Sequence, residues 1–160
     1  MFSRIQKTSN PPKDPLFIWD GNCGFCKYWI LVWKSKTKGL TYKTLQEASA
    51  DFPDIPTKEF KRASRLIEKD GSVFSGPDSA FRTFHYFHKP KMLWHRWYKS
   101  YTIFQKLSDH SYNWLAKNRP FFMKVTLAFW GKNPVSRKPY WILWLIGFMI
   151  TLVGLVYLLS

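Results

Sequence analysis

Leu16-Phe17-Ile18-Trp19-Asp20-Gly21-Asn22-Cys23-Gly24-Phe25-Cys26 contains the turning point of the fold and both cysteines of the chain. Four consecutive apolar residues after Pro15, stopping at Asp-Gly-Asn, read as a short buried strand running into a turn. The period then changes. Cys26, Trp29, Ile30 and Trp33 recur at i, i+3, i+4 and i+7, one face of a helix over about residues 24–36. Lys34, Lys36 and Lys38 suit its C-terminal dipole, and Gly39 closes it. Residues 40–45 alternate with period 2, giving a second strand. The intervening helix is a crossover, so the two strands are expected to run parallel.

Further along, residues 65–68 and 73–75 flank Lys69-Asp70-Gly71-Ser72, and Asp-Gly between short apolar runs signals a hairpin. Gly76-Pro77-Asp78 opens another helix, with Phe81, Phe84 and His88 expected along one face. The order β-α-β, a short helical link, then β-β-α is that of the thioredoxin core. The fold class expected is therefore α/β, a thioredoxin-like βαβ-ββα core over about residues 14–90. A helical extension over about 91–131 completes a domain spanning 14–131. Residues 1–13 are expected to be a flexible leading segment.

The spacing Cys23-x-x-Cys26 at a strand-to-helix junction carries the chemistry. It puts Cys23 at a helix N-terminus, where free N–H groups and the dipole favour a thiolate, so Cys23 is the expected nucleophile. Cys26 lies within the first turn, in reach of a mixed disulfide, and takes the resolving role. Gly24 leaves room for a substrate backbone, and Phe25 offers an apolar cap. Asp20 has two readings of equal weight: a proton acceptor for the Cys26 thiol, or a turn residue whose carboxylate bonds nearby N–H groups. Two cysteines are too few for a disulfide-stapled mini-protein or a four-thiolate zinc site. His85 and His88 stand at i, i+3, but surface or core histidine is the preferred reading. No metal is expected, and no cofactor beyond the redox-active Cys23–Cys26 pair.

The rest of the composition points to a membrane. The chain has 160 residues and a net charge of +15, with 19% aromatic residues, which argues against disorder. The charge is uneven, at +5 over residues 1–84 and +10 over 85–160, where Asp109 is the one acid. Residues 140–159 contain no charged or amide side chain, and Tyr140, Trp141, Trp144 and Tyr157 sit towards the two ends, so a transmembrane helix is expected there. Lys132, Arg137 and Lys138 fill a basic linker, 132–139, which by the basic-loop bias keeps the preceding domain cytoplasmic. Residues 1–15 carry Arg4, Lys7 and Lys13 but no apolar run of a secretory signal. Basic and aromatic residues interleave between Lys91 and Asn133, a pattern suited to anionic lipid headgroups and, as the lesser alternative, to single-stranded nucleic acid. The expected lipid contacts run through 91–139 and 140–159. A blander possibility is that these rings form the core side of short helices.

Asp20-x-x-Cys23-x-x-Cys26 directly after an apolar strand resembles the signature of the DCC family of thiol-disulfide oxidoreductases, named for those three residues. Asp70-Gly71 followed by Gly76-Pro77-Asp78-Ser79-Ala80, and Tyr112-Asn113-Trp114-Leu115-Ala116-Lys117-Asn118-Arg119, resemble later segments of the same family. The resemblance implies a thioredoxin-like fold and disulfide exchange with a protein or small thiol or disulfide substrate. One departure concerns the groove: thioredoxins place a cis-proline before the third core strand, whereas Ala63-Ser64 stands there and the nearest proline is Pro56. The competing function is a non-catalytic membrane-associated adaptor on the same fold, and nucleic-acid binding is a weaker one.

Overall fold

Strand β1 (Leu16–Trp19) is apolar throughout because both of its faces are covered. Leu16 and Ile18 pack with Leu45, Phe52, Phe60 and Ile67 on one side, and Phe17 meets Ile30 and Leu66 on the other. The computed structural model describes residues 2 and 5–159, with side chains as far as Tyr157. Met1, Ser3, Arg4 and Ser160 therefore lie outside the described residues, Arg4 being one of the basic residues counted above.

After β1 come α1 (Gly24–Lys34), β2 (Thr41–Thr44), α2 (Leu45–Ala48) and α3 (Thr57–Arg62). Then follow β3 (Arg65–Ile67), β4 (Val73–Ser75) and α4 (Pro77–Thr83). The sheet order is β2-β1-β3-β4, with β1 parallel to β2 and antiparallel to β3, and β3 antiparallel to β4. This is a mixed four-stranded sheet in the expected connection order. The hairpin turns at Gly71, whose φ of 81° favours glycine, while the Asp70 carboxylate accepts the Ser72 N–H.

Three boundaries differ from the sequence expectation. Strand β2 stops at Thr44 because Thr44 and Glu47 form a capping box that starts α2. Helix α4 ends at Thr83 and tightens into a 3₁₀ turn, Phe84–Tyr86, so His88 is not on its face. The leading segment is held at several of its described residues. Phe2 is buried, Lys7 bridges Ser72, Thr8 N–H donates to the Gly71 carbonyl, and Thr8 and Ser9 bond Asp54.

The extension beyond α4 consists of α5 (Leu93–Ser100), α6 (Thr102–Lys117) and α7 (Arg119–Trp130). Phe81 of α4 packs against Trp94, Tyr98 and Phe104, and α7 lies against α1. Several of the extension's rings thus contact other rings, while Trp94, Trp97 and Trp114 keep exposed surface. Pro120 separates α6 from α7, since it cannot supply an N–H to continue the first helix, and it is tolerated in the opening turn of α7 directly after that helix's first residue. That residue is Arg119.

Helix α8 (Trp141–Leu159) begins one residue inside the stretch expected to span a membrane. Among the described residues, no helix is long and apolar enough to cross a membrane.

Candidate active site at the start of helix α1

The turn between β1 and α1 is built by Asp20. Its carbonyl accepts the Cys23 N–H at 3.1 Å, and its Oδ1 accepts the Asn22 N–H at 3.1 Å. Gly21 lets this turn lie against the start of α2, because a Cβ there would meet Thr44 Cγ2 at 2.8 Å. The chain thus arrives at Cys23 in extended conformation, φ −98° and ψ 108°, as the N-cap of α1.

At that cap Cys23 Sγ accepts the Cys26 N–H at 3.1 Å, replacing the hydroxyl or carboxylate oxygen of an ordinary cap. Both cysteines are free thiols, Cys23 buried and Cys26 half-buried. A hydrogen bond from the Cys26 side chain, assisted by the Cys26 N–H and the Arg119 guanidinium, outweighs burial and lowers the Cys23 pKa to about 6. Cys26 moves the other way. Its bond to Cys23, burial, and the negative charges of Cys23 and Asp20 hold it protonated, against the opposing pull of Arg119. The pair therefore divides into a ready thiolate and a retained thiol, the asymmetry that sequential exchange requires.

A Cβ on Gly24 would meet nothing within 4 Å, so the space beside Cys23 is open. Phe25 turns towards Trp29 and Phe122, its ring centroid 6.4 Å from each.

Arg119 is the residue that motif reasoning did not assign. Its Nη1 donates to Asp20 Oδ2 at 3.0 Å across 99 positions of sequence. Asp20 consequently does what a turn residue does and more: one carboxylate oxygen holds the turn, and the other anchors the cation next to the thiols. The available signal is the Tyr112-to-Arg119 segment, whose resemblance to the family carries no chemical role by itself. Tyr112 explains the other end of that segment. Its hydroxyl accepts the Ser64 N–H at 3.1 Å, while the Ser64 carbonyl accepts the Gly76 N–H at 2.9 Å. The backbone of Ser64, standing where the cis-proline was missed, is thus fully engaged within the protein.

The histidines go elsewhere. His85 stacks edge-on with His95 at 5.0 Å and contacts Arg82, and His88 joins neither. Among the described residues, no group of three or more His, Cys, Asp or Glu could hold a metal ion.

Behind the dithiol, between α1, α6, α7 and the sheet, lies a cavity of about 480 Å³ whose wall includes Asp20, Cys26, Tyr112 and Arg119. Comparison with known families matches residues 17–125 to the DCC1-like thiol-disulfide oxidoreductase family. No curated protein and no solved structure matches the chain.

Proposed function

The chain belongs to the DCC1-like thiol-disulfide oxidoreductase family, and on that premise we propose that it exchanges disulfides through Cys23 and Cys26. The observation that carries the reading is the Cys23 sulfur at the cap of α1, hydrogen-bonded by the Cys26 N–H, with Arg119 held nearby by Asp20. Cys23 thiolate attacks one sulfur of a substrate disulfide and expels the other as a thiolate, leaving a mixed disulfide. Cys26 then loses its proton, with Asp20 as the acceptor, and its thiolate attacks the Cys23 sulfur. The second substrate thiolate leaves, the substrate has gained two electrons, and the protein carries a Cys23–Cys26 disulfide. No cofactor enters these steps. Substrates are protein or small-molecule disulfides that reach the open space beside Gly24.

The same proposal places the domain at a membrane surface on its cytoplasmic side. Support comes from α8, on which Ile150 is 66% and Val153 63% exposed, and from Lys132, Arg137 and Lys138 before it. Exposed Trp94, Trp97 and Ile103 beside Lys91, Arg96 and Lys106 give the 91–139 segment a face for anionic lipid, which is favoured here over nucleic acid.

The test is trapping. With Cys26→Ser, mixed disulfides on Cys23 accumulate and can be isolated from cells, and Cys23→Ser abolishes them. Equal, slow alkylation of both thiols together with no trapped species would leave a non-catalytic adaptor as the better account.

A further inference from the structure

A packed interior has few voids larger than a water molecule, yet about 480 Å³ stands open beside Cys26. That volume falls in the range of about 300–1,000 Å³ typical of small-molecule sites. Its walls are mainly aromatic, with Trp29 from α1 facing Phe122, Phe129 and Trp130 from α7. The polar groups are few, and the cations among them are Arg119 and Lys61. Arg119 commits donors to Asp20 and to Cys23, and its five-donor guanidinium fork has others left. Lys61 is exposed while lining the same cavity, so it marks an opening.

We propose that this cavity binds a small amphiphilic carboxylate, its apolar body among the α1 and α7 rings and its oxygens at Arg119, with Lys61 at the opening. The charge balance at the polar end makes binding sensitive to the state of the dithiol, a part of the inference that rests on the redox reading above. With Cys23 as a thiolate, Asp20 and Cys23 together offset Arg119 and Lys61. In a Cys23–Cys26 disulfide one negative charge is gone, and the cationic end is free to hold a carboxylate. Linkage makes the effect reciprocal, so the ligand favours the oxidised protein.

The probe is naphthalenecarboxylate, titrated calorimetrically into the full chain in mild detergent, with naphthalenemethanol as its uncharged counterpart and protein-free detergent as the blank. Saturable binding of one carboxylate per chain is expected, about tenfold tighter than the alcohol and tighter in the oxidised protein. Ala116→Phe, which pushes a ring into the cavity from α6, should abolish it, and Arg119→Gln should make the carboxylate and the alcohol bind alike. Binding no greater than to protein-free detergent, or equal affinity for the two compounds in the unmodified protein, overturns the site. Unchanged affinity in a folded Ala116→Phe protein does the same, and should that variant not fold, the carboxylate-against-alcohol comparison decides alone. Equal affinity for oxidised and reduced forms refutes the redox linkage while leaving the cavity site standing, whereas failure of the trapping experiment refutes the exchange reading without touching the titration.

Discussion

The βαβ unit around Cys23 and the helical extension from α5 to α7 contribute to one site by different routes. In the βαβ unit everything chemical is local: strand, turn, nucleophile and resolving thiol fit within Leu16 to Cys26, and backbone bonds spanning two or three residues place them. The extension has no such motif. It delivers Arg119 and Tyr112 through packing, over separations of 99 and 48 positions. The local part makes a thiolate possible, and the remote part supplies the cation that deepens it and the hydroxyl that seals Ser64.

The sharpest contrast between the two regions is in stability. Leu66, at 0% exposure in the sheet core, should cost about 2–5 kcal/mol when changed to Ala, measured by denaturant unfolding. Next comes the long-range seam. Tyr112→Phe leaves the Ser64 N–H without its acceptor, an expected loss of about 1–3 kcal/mol, yet the pH midpoint of Cys23 alkylation should stay near 6. A shifted midpoint would mean that Tyr112 serves the thiol as well as the scaffold.

Arg119→Gln tests the reverse combination. Loss of its charge and hydrogen bond should slow Cys23 alkylation at pH 6 by no more than about fivefold, the fall in thiolate fraction that a rise of about one unit brings at the midpoint, and Arg119→Lys should recover part of it. The accompanying pH dependence has a definite sign. Cys23 is lowered on folding, so its contribution to stability is complete above the roughly 8.5 of an unfolded thiol and is lost as pH falls through about 6. Thermal unfolding of the reduced protein should therefore weaken with acid over that window, and Cys23→Ser should remove that component. The smallest effect is expected on the extension's outer face: Ile103, 84% exposed, should change stability by no more than about 0.5 kcal/mol when replaced by Ala, while lipid-vesicle binding falls.

The legibility of each part follows its range. The change from an apolar run to a 3.6-residue period at Cys26, and the Asp70-Gly71 turn, are signals written in neighbouring residues, and the parallel β1–β2 pair and the β3–β4 hairpin they imply are observed. Boundaries were missed where another local signal competed, as with the Thr44–Glu47 capping box that ends β2 early. The polar composition around Thr8 and Ser9 gives no hint of the partners, Gly71 and Asp54, that fasten those two residues.

By itself, then, the sequence determined the βαβ-ββα order, the place of both thiols at a helix start, and the long apolar stretch after the basic linker, because each depends on periodicity, turn chemistry or composition within a few residues. Tertiary structure alone decided that Asp20 pairs with Arg119, that Tyr112 occupies the Ser64 N–H, and that an aromatic-walled cavity opens beside Cys26. Those contacts join α6 and α7 to β1, α1 and the start of β3. Their energy comes from charge, hydrogen-bond and packing complementarity between surfaces that meet only once the sheet and its helices have closed, so no local pattern in the sequence encodes them.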